Sequence, residues 1–242
     1  MHVAMSDIEM SKRKACENAC ELLARRYANA RVVGMGTGST VKIFIDICTW
    51  FLKDKAVVAS SPDTALYLAN HGLNTVDPIS IDRIDIYIDS ADEVNSNLDM
   101  VKGRGGAFLR EKTLAYMSGT RIYIIDHTKY TGVDYLYLKP IPIEIVPVTL
   151  NHVLKSIKNL DLFEPVLRVS SGKDGPVLSD NGNYIVDLKP LKPLKDPENI
   201  HKTLKLIHGV VETGIFPSKQ LVDIVIVGYP DKIITFNRDL QV

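Results

Sequence analysis

Apolar positions recur along the first half of the chain in two alternating rhythms. Residues 7 to 29 carry a helical spacing that ends near Ala28–Asn29, and Arg31-Val-Val-Gly-Met35 follows as a short buried strand. From Ser39 onward Val41, Phe44, Ile45, Cys48, Phe51 and Leu52 return to helical spacing, and Ala56-Val-Val-Ala59 reads as another strand. Ser61-Pro62-Asp63 predicts a helix start, with serine as N-cap and proline at the first helical position. Ile84-Asp-Ile-Tyr-Ile88, Leu98-Asp-Met-Val101 and Arg121-Ile-Tyr-Ile-Ile125 complete a set of nearly continuous apolar strands. Strands of that kind alternating with helices predict a parallel sheet covered on both faces.

The pattern changes near Tyr137. A proline-bounded strand from Pro140 to Pro147 precedes a helix at 149–158, strands at 165–170 and 176–179, and the turn Asp180-Asn-Gly-Asn183. A strand at 184–188, a helix at about 197–207 and a strand at 210–215 then give, the short strand at 176–179 aside, the order β-α-β-β-α-β, the ferredoxin-like pattern. Asp223-Ile-Val-Ile-Val-Gly228 and Ile233-Ile-Thr-Phe236 resume the style of the first half. The expected fold class is therefore α/β: a Rossmann-like, mostly parallel sheet domain formed by 1–136 and 208–242, with a ferredoxin-like α+β domain inserted at 137–207.

Composition narrows the function. With 45% hydrophobic residues the chain buries a sizeable core, and 29 basic against 29 acidic residues leave no net field for nucleic acid or anionic lipid. No apolar run reaches the roughly 18 residues of a membrane span, and MHVAMSDIEM lacks the charged and apolar regions of a leader. Cys16, Cys20 and Cys48 show no metal-ligand spacing, and Cys16 with Cys20 reads as a packed helix face rather than a disulfide. These features point to reduced thiols and a cytoplasmic location.

Four segments at predicted strand ends carry candidate chemistry, since open α/β sheets bind ligands there. Gly34-Met-Gly-Thr-Gly-Ser-Thr40 is a phosphate cradle, in which glycines admit an anion to helix N–H groups and Thr37, Ser39 and Thr40 add hydroxyls. Its glycine spacing is neither that of a dinucleotide fingerprint nor that of a Walker loop, and alone it is also compatible with a plain tight turn. Asp89-Ser-Ala-Asp-Glu93 sets three carboxylates where sugar hydroxyls would lie, although such a run also occurs in solvated turns. Lys102-Gly-Arg-Gly-Gly106 is a basic glycine turn leading to a helix from about Ala107, with Glu111 in its early turns, where a surface ion pair is the plainer reading. The fourth segment, Asp126-His-Thr-Lys129, follows the strand 121–125 and sets a lysine where it meets a phosphate or is simply solvated.

Together and in this order, the four segments resemble the A-type ribose-5-phosphate isomerase family, whose patterns read roughly GxGTGST, DGADE, KGGGG followed by LREK, and DxSK. The likeness extends through Pro140–Val146, Asp180–Asp187 and Gly209–Phe216. It implies aldose-ketose isomerisation of ribose 5-phosphate to ribulose 5-phosphate through an enediolate, without metal or other cofactor, by a homodimer or homotetramer. It further implies a phosphate and sugar loop at Thr37, Gly38, Ser39 and Thr40, and an acidic turn at Asp89, Ser90, Ala91 and Asp92. The basic turn falls on Lys102, Gly103, Arg104 and Gly105, the proton acceptor on Glu111, and a substrate-binding lysine on Lys129. The catalytic set is thus Glu111, Asp89, Asp92 and Lys102. Ser90 and Arg104 stand where the family has glycine, and His127 where an acidic residue is common; His127 is expected to be a loop residue outside the chemistry. An amino-sugar-phosphate deaminase or CoA transferase of the same fold group is disfavoured by the 102–112 segment. A sugar-phosphate sensor domain would need a DNA-binding element that neither the single N-terminal helix nor the neutral charge supplies.

Overall fold

The computed structural model describes residues 6–238; Met1–Met5, which begin the segment read as lacking a leader, and 239–242 of the expected large domain lie outside them. The chain divides into two compact units. One runs to Ala91 and adds Arg110–Tyr130 and the chain from Lys219; the other comprises Asp92–Leu109 and Thr131–Ser218.

The first unit is built on a six-stranded sheet of β1 (Val32–Met35), β2 (Ala56–Ala59), β3 (Ile84–Asp89), β6 (Ser118–Asp126), β14 (Ile224–Gly228) and β15 (Ile233–Asn237). Its order is β15-β14-β6-β3-β1-β2, parallel throughout except for the antiparallel edge β15. The central strands are apolar on both faces because both are covered, and every residue of β14 is buried, whereas the edge strand β15 is partly exposed. From β1 the chain steps outward to β2, then crosses to the other side of β1 for β3. That reversal makes the C-terminal ends of β1 and β3 a topological switch point, where the sheet opens a crevice.

The helices of this unit begin where their caps dictate. In α1 (Asp7–Arg26) the Ser6 side chain accepts the Glu9 N–H, acidic Asp7 and Glu9 occupy the first turn, and Arg25 and Arg26 the last. Its Ala15, Cys16, Ala19, Cys20 and Leu23 form one buried face that packs against α2 (Ser39–Leu52). Burying Leu23 alone is worth about 2 kcal/mol. In α3 (Pro62–Asn70) Ser61 caps the Thr64 N–H and Pro62 opens the helix, as the sequence predicts. The expectation of reduced cysteines is corrected at one pair: Cys20 of α1 and Cys48 of α2 form a disulfide, while Cys16 keeps its thiol, buried. Helical spacing drew Cys16 and Cys20 together on one face, but the bond joins two faces 28 residues apart in sequence.

The second unit holds the ferredoxin-like element. Strands β7 (Ile141–Ile145), β8 (Phe163–Leu167), β11 (Tyr184–Pro190) and β12 (Val210–Thr213) pair antiparallel in the order β12-β7-β11-β8. Helices α5 (Leu150–Lys158) and α6 (Pro197–Lys205) lay Val153, Ile157 and Leu204 onto a core with Ile143, Val186 and Leu188. The chain between β8 and β11 forms a hairpin of β9 (Val169–Ser170) and β10 (Lys173–Pro176) rather than one continued strand. Leu98–Val101, expected among the parallel strands, instead contributes β5 (Met100–Val101) to a small antiparallel sheet with β4 (Glu93–Val94) and β13 (Ile215–Phe216). Its alternation was too short to carry a sheet assignment, and Leu98 stands at φ 66°, a turn conformation. Helix α4 (Phe108–Met117) precedes β6, and the short α7 (Ser218–Leu221) precedes β14. Among the described residues no helix is long and apolar enough to cross a membrane.

Candidate active site

In the first unit the loop after β1 and the end of β3 meet at the switch point. Gly36 donates its N–H to the Ile88 carbonyl at 2.8 Å, and a Cβ on Gly36 would lie 2.0 Å from Cγ of Asp89. Only hydrogen fits there, so the glycine loop and the Asp89 carboxylate are packed as one piece. The Thr37 hydroxyl is drawn into a cluster with Ser60 (3.1 Å), Ser61 (2.6 Å) and Thr64 (3.0 Å), and Thr64 Oγ1 donates to the Gly36 carbonyl at 2.8 Å. Thr37 therefore shapes the loop through its side chain. Gly38 sits at φ +120° with open space where a Cβ would be, immediately before the first turn of α2, and Ser39 and Thr40 begin that helix. The free N–H groups of such a turn attract anions.

Lys12 of α1 reaches the same loop, donating from Nζ to Ser39 Oγ at 3.1 Å. Sequence reading missed it because one lysine on the polar side of an amphipathic helix carries no local signal. Lys129 lies half-buried in the turn His127–Lys129 after β6, whose start Asp126 caps by accepting the Thr128 N–H at 3.0 Å. His127 lies in the same turn, where its ring stacks on Tyr229 at 5.5 Å and Nδ1 lies 3.2 Å from Ser11 Oγ.

Asp89 is fully buried. Its Oδ2 accepts the Tyr87 hydroxyl at 2.6 Å and its Oδ1 accepts the Ser90 N–H at 2.7 Å. The tyrosines of β3 and β6, Tyr87 and Tyr123, are both buried, with ring centroids 6.2 Å apart edge to face. Burial first, and then the charges of Asp89 and Glu111, hold both phenols well above the usual tyrosine range. They stay protonated, as hydrogen-bond donors: Tyr87 to Asp89, and Tyr123 to the Leu221 carbonyl at 3.0 Å. Glu111 occupies the first turn of α4 and is only 4% exposed, so it is not the solvated surface glutamate its isolated context suggested. Buried carboxyl groups beside hydroxyl donors are suited to holding sugar hydroxyls and moving protons.

The second unit carries the remaining candidates. Asp92, half-buried, donates its N–H to Val101 at 2.8 Å and accepts the Arg104 N–H on Oδ2 at 3.2 Å. Lys102 is 3% exposed, its ammonium 5.6 Å from the centre of the Phe216 ring. Its backbone N–H donates to Gly214 at 2.8 Å. Gly103, at φ +103°, has Phe108 and Pro142 where a Cβ would go. Arg104 and Gly105 are exposed. Neither Ser90 nor Arg104 has a positive φ, so a Cβ in place of the family glycine costs no left-handed strain at either position. Among the described residues no group of three or more His, Cys, Asp or Glu could hold a metal ion.

Comparison with known proteins gives one consistent result. The family described as ribose 5-phosphate isomerase A (phosphoriboisomerase A) matches residues 56–232. The ribose-5-phosphate isomerase A of Pyrococcus horikoshii is 37% identical over 230 residues, covering 92% of this chain and 95% of the relative. A ribose-5-phosphate isomerase of Dictyostelium discoideum is 38% identical over 187 residues, 76% of this chain and 81% of the relative. A solved D-ribose-5-phosphate isomerase in complex with phospho-erythronic acid superposes with a TM-score of 0.88 at 35% identity, covering 96% of this chain and 100% of that one.

Proposed function

Since the chain belongs to the ribose-5-phosphate isomerase A family, we propose that Glu111 is the base of its reaction, with Asp89, Asp92 and Lys102 completing the catalytic set. The reaction is the interconversion of ribose 5-phosphate and ribulose 5-phosphate, a proton transfer between C2 and C1 through an enediolate. The carbon acid is weak, so a base must be matched by stabilisation of the charge that develops on oxygen. Glu111 carries the proton on one face of the enediolate. Lys102 and the N–H groups of its glycine turn stabilise the oxyanion, a contribution of roughly 3 kcal/mol per donor. Asp89 and Asp92 hold sugar hydroxyls and assist ring opening. The loop Thr37–Thr40 binds the phosphate, with Lys129 and Lys12 supplying cations, and Ser90, Ala91, Gly103, Arg104 and Gly105 line the sugar. Remote phosphate binding energy then orients the reacting carbons.

One observation supports this reading: Asp89 and Glu111 are both buried, and the Asp89 carboxylate is held by the Tyr87 phenol. An assay of ribulose 5-phosphate formation tests it, run with and without EDTA and beside glucosamine 6-phosphate. Turnover of ribose 5-phosphate alone, unaffected by the chelator, is expected; deamination of the amino sugar phosphate would favour the rival reading. The proposal includes a homodimer or homotetramer in the cytoplasm, which the resemblance implies and light scattering would check for the assembly.

A further inference from the structure

Arg168, between β8 and β9, uses three nitrogens of its guanidinium at once. Nε donates to Asp187 Oδ2 at 2.8 Å and Nη2 donates to Asp187 Oδ1. Nη1 donates to the carbonyl oxygens of Gly103 at 3.2 Å and Arg104 at 3.0 Å. The side chains are 17% and 26% exposed, so the pair is largely shielded from water. Asp187 is on β11, and all four residues belong to the second unit.

The consequence lies in the peptide planes. No peptide bond among the described residues is cis, and in a trans peptide the N–H points away from the C=O. Fixing the carbonyls of Gly103 and Arg104 on the Arg168 side therefore turns the N–H groups of Arg104 and Gly105 to the opposite side. The first of these donates to Asp92 Oδ2. The second belongs to exposed Gly105. Glycines at 103, 105 and 106 let these planes rotate easily, so the turn needs an external hold to keep one orientation. The Gly106 N–H, bonded to the Gly103 carbonyl at 3.1 Å, supplies part of it.

We propose that Arg168, itself held by Asp187, is a positioning residue for the isomerisation: it locks the 103–105 peptide planes so that one N–H anchors Asp92 and the next is presented to a substrate oxygen. This rests on the assignment of Asp92 and the glycine turn to the catalytic set. The task calls for arginine, because a rigid planar fork reaches a carboxylate and two carbonyls together, which a lysine ammonium cannot do in the same geometry.

The test is steady-state kinetics on the full chain with Arg168→Ala and Arg168→Lys, alongside thermal unfolding and added guanidinium ion. Loss of an oriented site group should lower kcat about thirtyfold in R168A with KM within about threefold, R168K should recover little, and guanidinium should restore several-fold of the alanine variant's activity. A folded R168A with kcat within about twofold of the parent overturns the proposal. So does a loss that merely tracks unfolded protein and that guanidinium leaves untouched. If R168A does not fold, R168K decides: parental kcat overturns the proposal, and a folded lysine variant with depressed kcat supports it. Glu111→Gln assayed in parallel separates the two levels. Normal turnover there removes the catalytic assignment itself, whereas normal turnover only in the Arg168 variants removes the positioning role.

Discussion

The Tyr87 hydroxyl donates to Asp89 Oδ2 at 2.6 Å, from a residue two positions upstream on the same strand. Residues i and i+2 share a face of a strand, so β3 itself supplies the donor that holds its own terminal carboxylate. A hydrogen bond to a charged group is worth about 2 kcal/mol, and Tyr87→Phe removes it while keeping the ring that packs on Tyr123. Expected is a fall in kcat of about tenfold with KM within about threefold and a small change in melting temperature. Kinetics with calorimetry checks this; a variant with parental kcat would show that Asp89 needs no such hold.

The same phenols predict alkaline behaviour. Tyr87 and Tyr123 have folded-state values raised well above normal by burial and by neighbouring carboxylates. Their contribution to stability is complete below the ordinary tyrosine value of about 10 and is lost as pH rises beyond it, because the unfolded chain releases protons that the folded chain retains. Denaturant midpoints measured upward from about pH 9 should fall, and the fall should be shallower in Tyr123→Phe.

Replacing Glu111 by Gln keeps the size of the side chain but removes the proposed base. The expected loss in kcat is about a thousandfold, with KM for ribose 5-phosphate within a few-fold. Rapid-quench or coupled assays of ribulose 5-phosphate decide the matter, since near-normal turnover would move the base elsewhere.

Reducing the Cys20–Cys48 bond opens a cross-link between residues 28 apart. Chain-entropy arguments give about 3.6 kcal/mol for a loop of that size. Treatment with dithiothreitol should lower the melting temperature while leaving kcat intact, because neither sulfur belongs to the proposed catalytic set. Paired scans with and without reductant check it.

The parts legible in the sequence are those that recur as a set. The glycines at 34, 36 and 38, the acidic run at 89–93 and the basic turn at 102–105 are each ambiguous alone and become informative only together at successive strand ends, while the alternating strands point to the α/β class. Residues that act through tertiary placement were hidden. Tyr87 and Tyr123 read as ordinary core within apolar strands, because an aromatic position gives no sign that its hydroxyl meets a carboxylate. Arg168 lay in a stretch read as a plain strand, 64 residues from the Arg104 carbonyl it holds. Lys12 belongs to a helix whose facing loop begins some two dozen residues later, and the disulfide joined cysteines that helical spacing assigned to separate faces. Glu111 was named from resemblance; its burial emerged only with the fold.

Gly36 and Asp89 occupy a single volume, and this limits how the scaffold could change its substrate. Any side chain at position 36 would displace the carboxylate, so the cradle and the acidic turn must be inherited together or rebuilt together. Freedom lies instead at positions such as 90 and 104, whose backbone accepts a Cβ without strain. A laboratory lineage selected for a different sugar phosphate should accumulate its substitutions there, while the Gly36–Asp89 junction stays invariant as the fixed point around which specificity drifts.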